Sequence, residues 1–115
     1  MRSAVMMIAA LLAGPSRAEG WRDLTGVAIQ GALQQHQVLW DDGSAQVFIS
    51  GGVTYFIHGW LNEGRWRASE DGYCSQWPPN MDWVCYDVQA GSGGRVRFLG
   101  PEGRVWEGQI VDKIE

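Results

Sequence analysis

The chain contains one lysine, two histidines and two cysteines in 115 residues, and these low counts narrow the range of functions. Nucleic acid binding needs a basic stripe, because much of its affinity comes from cations that release condensed counterions. An anionic membrane surface is disfavoured for the same reason. Few histidines and cysteines also leave little material for a metal site. We therefore expect no nucleic acid partner, no metal and no cofactor.

Motifs that carry catalytic chemistry are missing as well. The sequence has no His-Glu-x-x-His motif, no Gly-x-Ser-x-Gly motif and no glycine-rich phosphate loop. Asp41 and Asp42 could begin a calcium loop, but the remaining carboxylates are absent and a hairpin turn is the simpler interpretation. Glu70 and Asp71 are adjacent, so on a strand they would point to opposite faces. We predict that the protein is not an enzyme.

No apolar run reaches the roughly 20 residues that a membrane-spanning helix needs. The longest N-terminal run, Ala4 to Ala13, follows a positive charge and precedes Gly14–Pro15 and a small-residue cleavage site ending at Ala18. This order is typical of a secretory signal peptide. We predict a signal peptide over residues 1–18 and a single domain over residues 19–115. The mature protein would be periplasmic or secreted, with no membrane anchor.

Cleavage at that site would make the protein more acidic. It removes two arginines and leaves seven basic against thirteen acidic residues, a net charge of −6. Such a charge attracts a basic protein partner and also keeps a small domain soluble.

Turn-forming glycines divide the mature chain at regular intervals. Pairs such as Asp42-Gly43, Gly51-Gly52 and Glu63-Gly64 alternate with stretches rich in Val, Ile, Tyr, Phe and Trp, as in an antiparallel meander. We predict a mainly β fold of about eight strands, over residues 36–41, 44–50, 53–61, 64–70, 73–77, 82–89, 95–100 and 104–111. Closure into a barrel would remove every strand edge, and a two-layer sandwich is the alternative.

Ahead of the strands, Leu24, Ile29 and Leu33 recur at near-helical spacing between residues 21 and 33. Thr25 is a suitable N-cap for a helix. The pattern predicts a short N-terminal helix that closes one end of the barrel.

Cys74 and Cys85 are the only cysteines, and in an oxidising compartment such a pair usually forms a disulfide. Ten residues separate them, and the midpoint falls inside a turn centred on Pro79 and Asn80. A hairpin folded about that point places the cysteines directly opposite each other, within disulfide reach. The same hairpin places Trp77 opposite Asp82. We predict a structural disulfide.

Two stretches, YCSQWPP over residues 73–79 and WVCYD over residues 83–87, together with an LTG start at residues 24–26, resemble a family of small exported bacterial proteins of unknown function. The resemblance covers most of the mature chain. It implies an exported β-domain in a bacterial envelope, and no catalytic residue or substrate.

Seven tryptophans are the most unusual feature of the composition. Large rings fill a thin core efficiently, and Trp40, Trp66 and Trp106 occupy strand interiors where they would do so. In contrast, Trp60, Trp77 and Trp83 lie near strand ends or the Pro-Pro turn, where rings can line a barrel mouth. The nearby polar residues Asn62, Gln76 and Asn80 would suit a sugar. We predict that Trp77 or Trp83, with Trp60 as a third candidate, contacts a ligand or partner.

Two non-enzymatic functions fit these features. The first is a binding protein for a small apolar or glycan-like ligand held at the mouth of the barrel. The second is an acidic interaction module that inhibits a basic envelope enzyme such as lysozyme. A short stretch around Ser50–Gly52 and Tyr55, with Gly59–Trp60, is similar to barrel-type lysozyme inhibitors. A hollow barrel favours the first function, and a filled barrel with a projecting acidic loop favours the second.

Overall fold

A computed structural model describes residues 20–114, so the predicted signal peptide over residues 1–18 lies outside the described residues. Within that range the chain forms nine β-strands and one α-helix. No helix in residues 20–114 is long and apolar enough to cross a membrane. The strands are β1 (Arg22–Leu24), β2 (His36–Trp40), β3 (Ala45–Ile49), β4 (Val53–Ile57), β5 (Leu61–Ser69), β6 (Gly72–Trp77), β7 (Asn80–Ala90), β8 (Arg95–Leu99) and β9 (Val105–Lys113).

Strands β2 to β9 form a closed, eight-stranded antiparallel barrel, which confirms the predicted fold class. Each strand pairs with the next along the chain, and β9 pairs with β2 to complete the circle. The short strand β1 pairs with the last three residues of β7, which lie beyond the residues of β7 that pair with β6. Closure leaves none of the eight strands with a free edge, which removes the template that open sheets offer for aggregation.

The up-and-down order of the strands puts alternate turns at the same end of the barrel. We call the end that carries the β2–β3, β4–β5, β6–β7 and β8–β9 turns the open end, and the other the closed end. The helix α1 (Gly26–Leu33) packs against β5, β6 and β2 at the closed end. Its residues Ile29 and Leu33 are completely buried.

The helix is shorter than the predicted segment over residues 21–33. Thr25 is the N-cap residue as predicted, although its side chain makes no capping hydrogen bond. Residues Arg22–Leu24 instead form β1, because pairing with β7 satisfies their backbone groups. The helix begins at Gly26, close to the Ser69 backbone. A Cβ at this position would lie 3.2 Å from the carbonyl carbon of Ser69, so the absence of a side chain allows the close approach.

The β4–β5 hairpin corrects one prediction about turns. The chain does not turn at Glu63-Gly64. It turns at His58, Gly59 and Trp60, and β5 already begins at Leu61. Gly59 has a φ of 88°, which favours glycine and permits the tight turn. Gly64 therefore lies inside a strand, on the inner face of the barrel.

The β6–β7 hairpin confirms the disulfide and corrects the register beyond it. Cys74 and Cys85 are paired residues joined by a disulfide, with Cα atoms 4.0 Å apart. Between Ser75 and Trp77 the register shifts, so Trp77 pairs with Asn80 and not with Asp82. The bulge forms because the chain reverses tightly at Pro78 and Pro79, which leaves two extra residues in β7.

The closed half of the barrel is filled by apolar side chains. These buried residues come from α1 and from the inner face of the strands, and include Ile29, Leu33, Val38, Phe48, Trp66, Val88 and Val96. Trp66 is 3% exposed, which confirms its predicted place in the core. The open half is built differently.

Candidate binding site

The open half of the barrel contains a cavity of about 470 Å³, which we call the cup. Its volume lies within the range of small-molecule sites, roughly 300–1,000 Å³. Exposed residues Leu61 and Pro78 lie on its rim, so solvent reaches it from the open end. Seven of its lining residues are aromatic: Trp40, Phe56, Tyr73, Trp77, Tyr86, Phe98 and Trp106.

Three glycines explain how so many rings leave the centre of the barrel empty. Gly64, Gly100 and Gly108 each lie against an aromatic ring from the neighbouring strand. A Cβ added at Gly64 would lie 2.5 Å from Cε3 of Trp77.

The other two pairs repeat the arrangement. A Cβ at Gly100 would lie 2.6 Å from Cε2 of Tyr86, and one at Gly108 would lie 2.9 Å from Cε3 of Trp40. Because glycine has no side chain, each ring can lie against the wall and not project toward the barrel axis.

A chain of buried hydrogen bonds forms the floor of the cup. Gln46 is at its centre and accepts a hydrogen bond from Trp40 Nε1 at 3.2 Å. Its amide nitrogen donates to Thr54 Oγ1 and to Tyr73 Oη, both at 3.0 Å. Both amide hydrogens of Gln46 are thus used inside the barrel.

Two further contacts extend this chain up the wall. Trp77 Nε1 donates to Ser75 Oγ at 3.1 Å, which fixes the orientation of the indole. Burial raises the pKa of the Tyr73 hydroxyl, and its hydrogen bonds with Ser75 and Gln46 offset that effect only in part. The Tyr73 hydroxyl therefore stays protonated at neutral pH.

Acidic residues predominate around the open end. Among the lining residues, Glu63 is the only charged one. Asp41 and Asp42 lie in the β2–β3 turn, and Ser44 donates hydrogen bonds from Oγ and N to Asp42 Oδ1, which lower the pKa of that carboxyl. Glu102 lies in the β8–β9 turn, and Asp82 lies near the start of β7, two residues after Asn80. Arg104 is the one arginine in these turns.

The three tryptophans predicted to contact a ligand lie in three different places. Trp77 is half-buried and lines the cup. Trp83 lies on the outer face of the barrel, in a groove with Met81 and Pro78, and the Arg67 guanidinium lies 4.1 Å from the centre of its ring. Trp60 is 72% exposed at the tip of the β4–β5 turn. The structure does not bring them together, and ligand contact stays a prediction.

Other residues of the cup were expected to fill the core or were not singled out. Trp40 is buried as expected, whereas Trp106 is only partly buried. Both rings line the cup. Phe56 and Tyr86 received no role in the sequence analysis. Each of them faces inward on its strand. Glycines on neighbouring strands, which leave room for aromatic rings, are the feature of the sequence that could have indicated a hollow at this end.

Within residues 20–114, no group of three or more His, Cys, Asp or Glu side chains is arranged to hold an ion. His58 is exposed in the β4–β5 turn and stacks on Phe56, with ring centres 6.4 Å apart.

Comparison with known proteins gives no independent indication of function. No model of a known protein family matches the chain, and no curated protein or solved structure matches it.

Proposed function

We propose that the protein is an exported, non-enzymatic binding protein that holds a small apolar or glycan-like ligand in the cup. The observation that carries this proposal is the cavity of about 470 Å³ with seven aromatic residues in its wall. A concave, mainly apolar site with a few placed polar groups is the usual form of a small-molecule site. Asn62, on the inward-facing side of β5, supplies a polar group at the rim.

The wall is organised before any ligand arrives, which supports the same proposal. Trp77 lies on Gly64 and is held by its hydrogen bond to Ser75. Trp40 lies on Gly108 and is held by its hydrogen bond to Gln46. Because these rings are already ordered, a ligand loses little free energy in ordering them.

Export is supported by the disulfide, since such bonds persist in oxidising compartments such as the bacterial periplasm. The predicted signal peptide and the resemblance to small exported bacterial proteins agree with it. We infer that the protein acts in the periplasm or outside the cell.

Trp77 and Trp83 provide a matched test of the site, because both are half-buried tryptophans of the same hairpin and only Trp77 lines the cup. Binding of N-phenyl-1-naphthylamine, an uncharged aromatic probe, and of N,N′-diacetylchitobiose is measured by titration calorimetry. We expect at least one of them to bind, with the affinity weakened about tenfold or more by Trp77→Leu and unchanged by Trp83→Leu. No binding of either compound, or equal losses in both variants, would contradict the proposal.

The acidic open end favours a second candidate, inhibition of a basic envelope enzyme. Asp41, Asp42 and Glu102 lie in the open-end turns, and Asp82 lies near the start of β7 at the same end. These acidic residues would attract a basic surface. Lysozyme activity measured with and without the protein at low salt tests this function. Undiminished activity at a large excess of the protein would exclude lysozyme as the target.

A further inference from the structure

The wall of the cup is suited to a positively charged group. We propose that the ligand carries an organic cation, a quaternary or primary ammonium group on an apolar body, and that this group sits among the rings of the cup. The inference rests on the proposed function and specifies its class of ligand.

The first argument is the arrangement of three rings. Phe56 meets Trp77 at 76° and Trp106 at 87°, with ring centres 6.3 and 6.1 Å apart. All three line the cup. A cation is attracted to the face of an aromatic ring within about 6 Å of its centre. Rings that meet at nearly right angles let one bound cation approach more than one of them.

The second argument is that these rings have no cation from the chain itself. Arginines stack on tryptophans elsewhere in the protein, since Arg67 lies over Trp83 and Arg97 lies 3.8 Å from the centre of Trp21. Both of those tryptophans lie outside the cup. Within residues 20–114, no arginine side chain lines the cup or lies over its rings, and His58 stacks on the outer part of the wall at Phe56. No arginine therefore occupies the faces of Trp77 and Trp106, which leaves these two rings for a cation that comes from outside.

The third argument concerns hydrogen-bond donors. Trp40 and Trp77 both line the cup, but their indole N–H groups already donate to Gln46 and Ser75. The amide hydrogens of Gln46 are also used internally. An anion needs donors to replace its hydration, and the donors of Trp40, Trp77 and Gln46 are not available to it. A cation needs acceptors and π faces, which the wall offers.

The charge at the entrance agrees with these arguments. Glu63 is the only charged residue in the lining and lies at the rim, on an outward-facing position of β5 next to the inward-facing Gly64. Asp42 lies in the β2–β3 turn and Asp82 near the start of β7. Asp41 is partly neutralised by Arg95 at 2.6 Å. His58 and Arg104 are the basic residues of these turns, and Arg104 faces Asp41 and Asp42 in a groove outside the cup. An acidic entrance raises the local concentration of cations.

A pair of isosteric probes tests the inference without any substitution. Choline and 3,3-dimethylbutan-1-ol have the same shape and differ in the charged nitrogen. Dissociation constants are measured at low salt from the tryptophan indole signals in ¹H–¹⁵N NMR spectra. We expect choline to bind about tenfold more tightly than the alcohol. Its affinity should also fall as sodium chloride is added, because salt screens the acidic entrance.

Two carboxylates at opposite ends of the barrel provide matched variants. Glu63→Gln should weaken choline binding, whereas Glu70→Gln, an exposed residue in the β5–β6 turn at the closed end, should leave it unchanged. Both changes are at the surface and should not affect folding. Equal effects of the two variants would contradict the placement of the cation in the cup.

The outcomes separate the two proposals. If the alcohol binds as tightly as choline or more tightly, the cation inference is wrong and the proposed function stands. If neither binds but N-phenyl-1-naphthylamine does, the result is the same. If none of the three compounds and no chitobiose binds, both proposals fail.

Discussion

Gly64 lies in the barrel wall against Trp77, and its replacement by alanine tests what keeps the cup hollow. The added Cβ would lie 2.5 Å from Cε3 and 2.7 Å from Cζ3 of Trp77, and 2.8 Å from the backbone oxygen of Gln76. Carbon atoms pack at about 3.5–4.0 Å, so the indole has to move by roughly 1 Å. The open space beside it is the cup, which Trp77 lines. The alanine should therefore push the ring inward.

The expected cost is that of overpacking a well-packed wall, about 1–3 kcal/mol in the free energy of unfolding. Denaturant unfolding measures it, and the near-UV circular dichroism of the tryptophans should change as well. Gly31→Ala is the control, because Gly31 lies on the exposed side of α1 with no atom within 4 Å of the added Cβ. That substitution should stabilise the protein by about 0.5–1 kcal/mol.

A double-mutant cycle shows whether the ring is the cause. If the clash is with Trp77, adding Trp77→Leu to Gly64→Ala should relieve it. The double variant should then be more stable than the sum of the single effects predicts, by about 1 kcal/mol or more. Additive effects, or a Gly64→Ala variant as stable as the wild type, would refute the explanation that the cup stays open because aromatic rings pack against glycines in the wall.

Three further predictions concern stability. Trp66→Ala should destabilise the protein by about 3–5 kcal/mol in denaturant unfolding, because the ring is buried and its Nε1 donates to Ile49 O at 3.0 Å; a cost below about 1 kcal/mol would contradict its place in the core. Replacing Cys74 and Cys85 with Ala should cost about 2–4 kcal/mol with the far-UV spectrum retained, and labelling of both thiols by an alkylating reagent in the oxidised wild type would refute the disulfide. Above pH ~10 Tyr73 loses its proton in the unfolded state but keeps it in the folded state, so the free energy of unfolding should fall by about 1.4 kcal/mol per pH unit. The variant Tyr73→Phe should show a smaller slope than the control variant Tyr55→Phe.

Local patterns determined most of the fold. The alternation of apolar and polar residues in segments such as Arg95–Leu99 indicated the strands, since a strand with one buried face needs a period of two. The symmetric spacing of Cys74 and Cys85 about the Pro-Pro turn indicated the disulfide, because a hairpin folded there places the two cysteines opposite each other. The sequence also indicated the short helix and the core position of Trp66.

Contacts between strands decided what the sequence left open. The turn expected at Glu63-Gly64 lies instead at His58–Trp60, because Gly64 pairs with Thr54 inside the sheet and lies against the Trp77 ring.

The separation of the three candidate tryptophans has a similar origin. Trp77 faces inward because it lies an even number of residues from the inward-facing Tyr73, and Trp83 faces outward because it lies an odd number from the inward-facing Tyr86. No property of either tryptophan alone distinguishes the two faces. The sequence thus determined a small, disulfide-bonded, mainly β domain rich in tryptophan, and strand pairing decided that it closes into a barrel. Only the pairing of glycines with rings across strands decided that one half is packed and the other hollow, because that pairing depends on barrel closure and register, which join residues far apart in the chain.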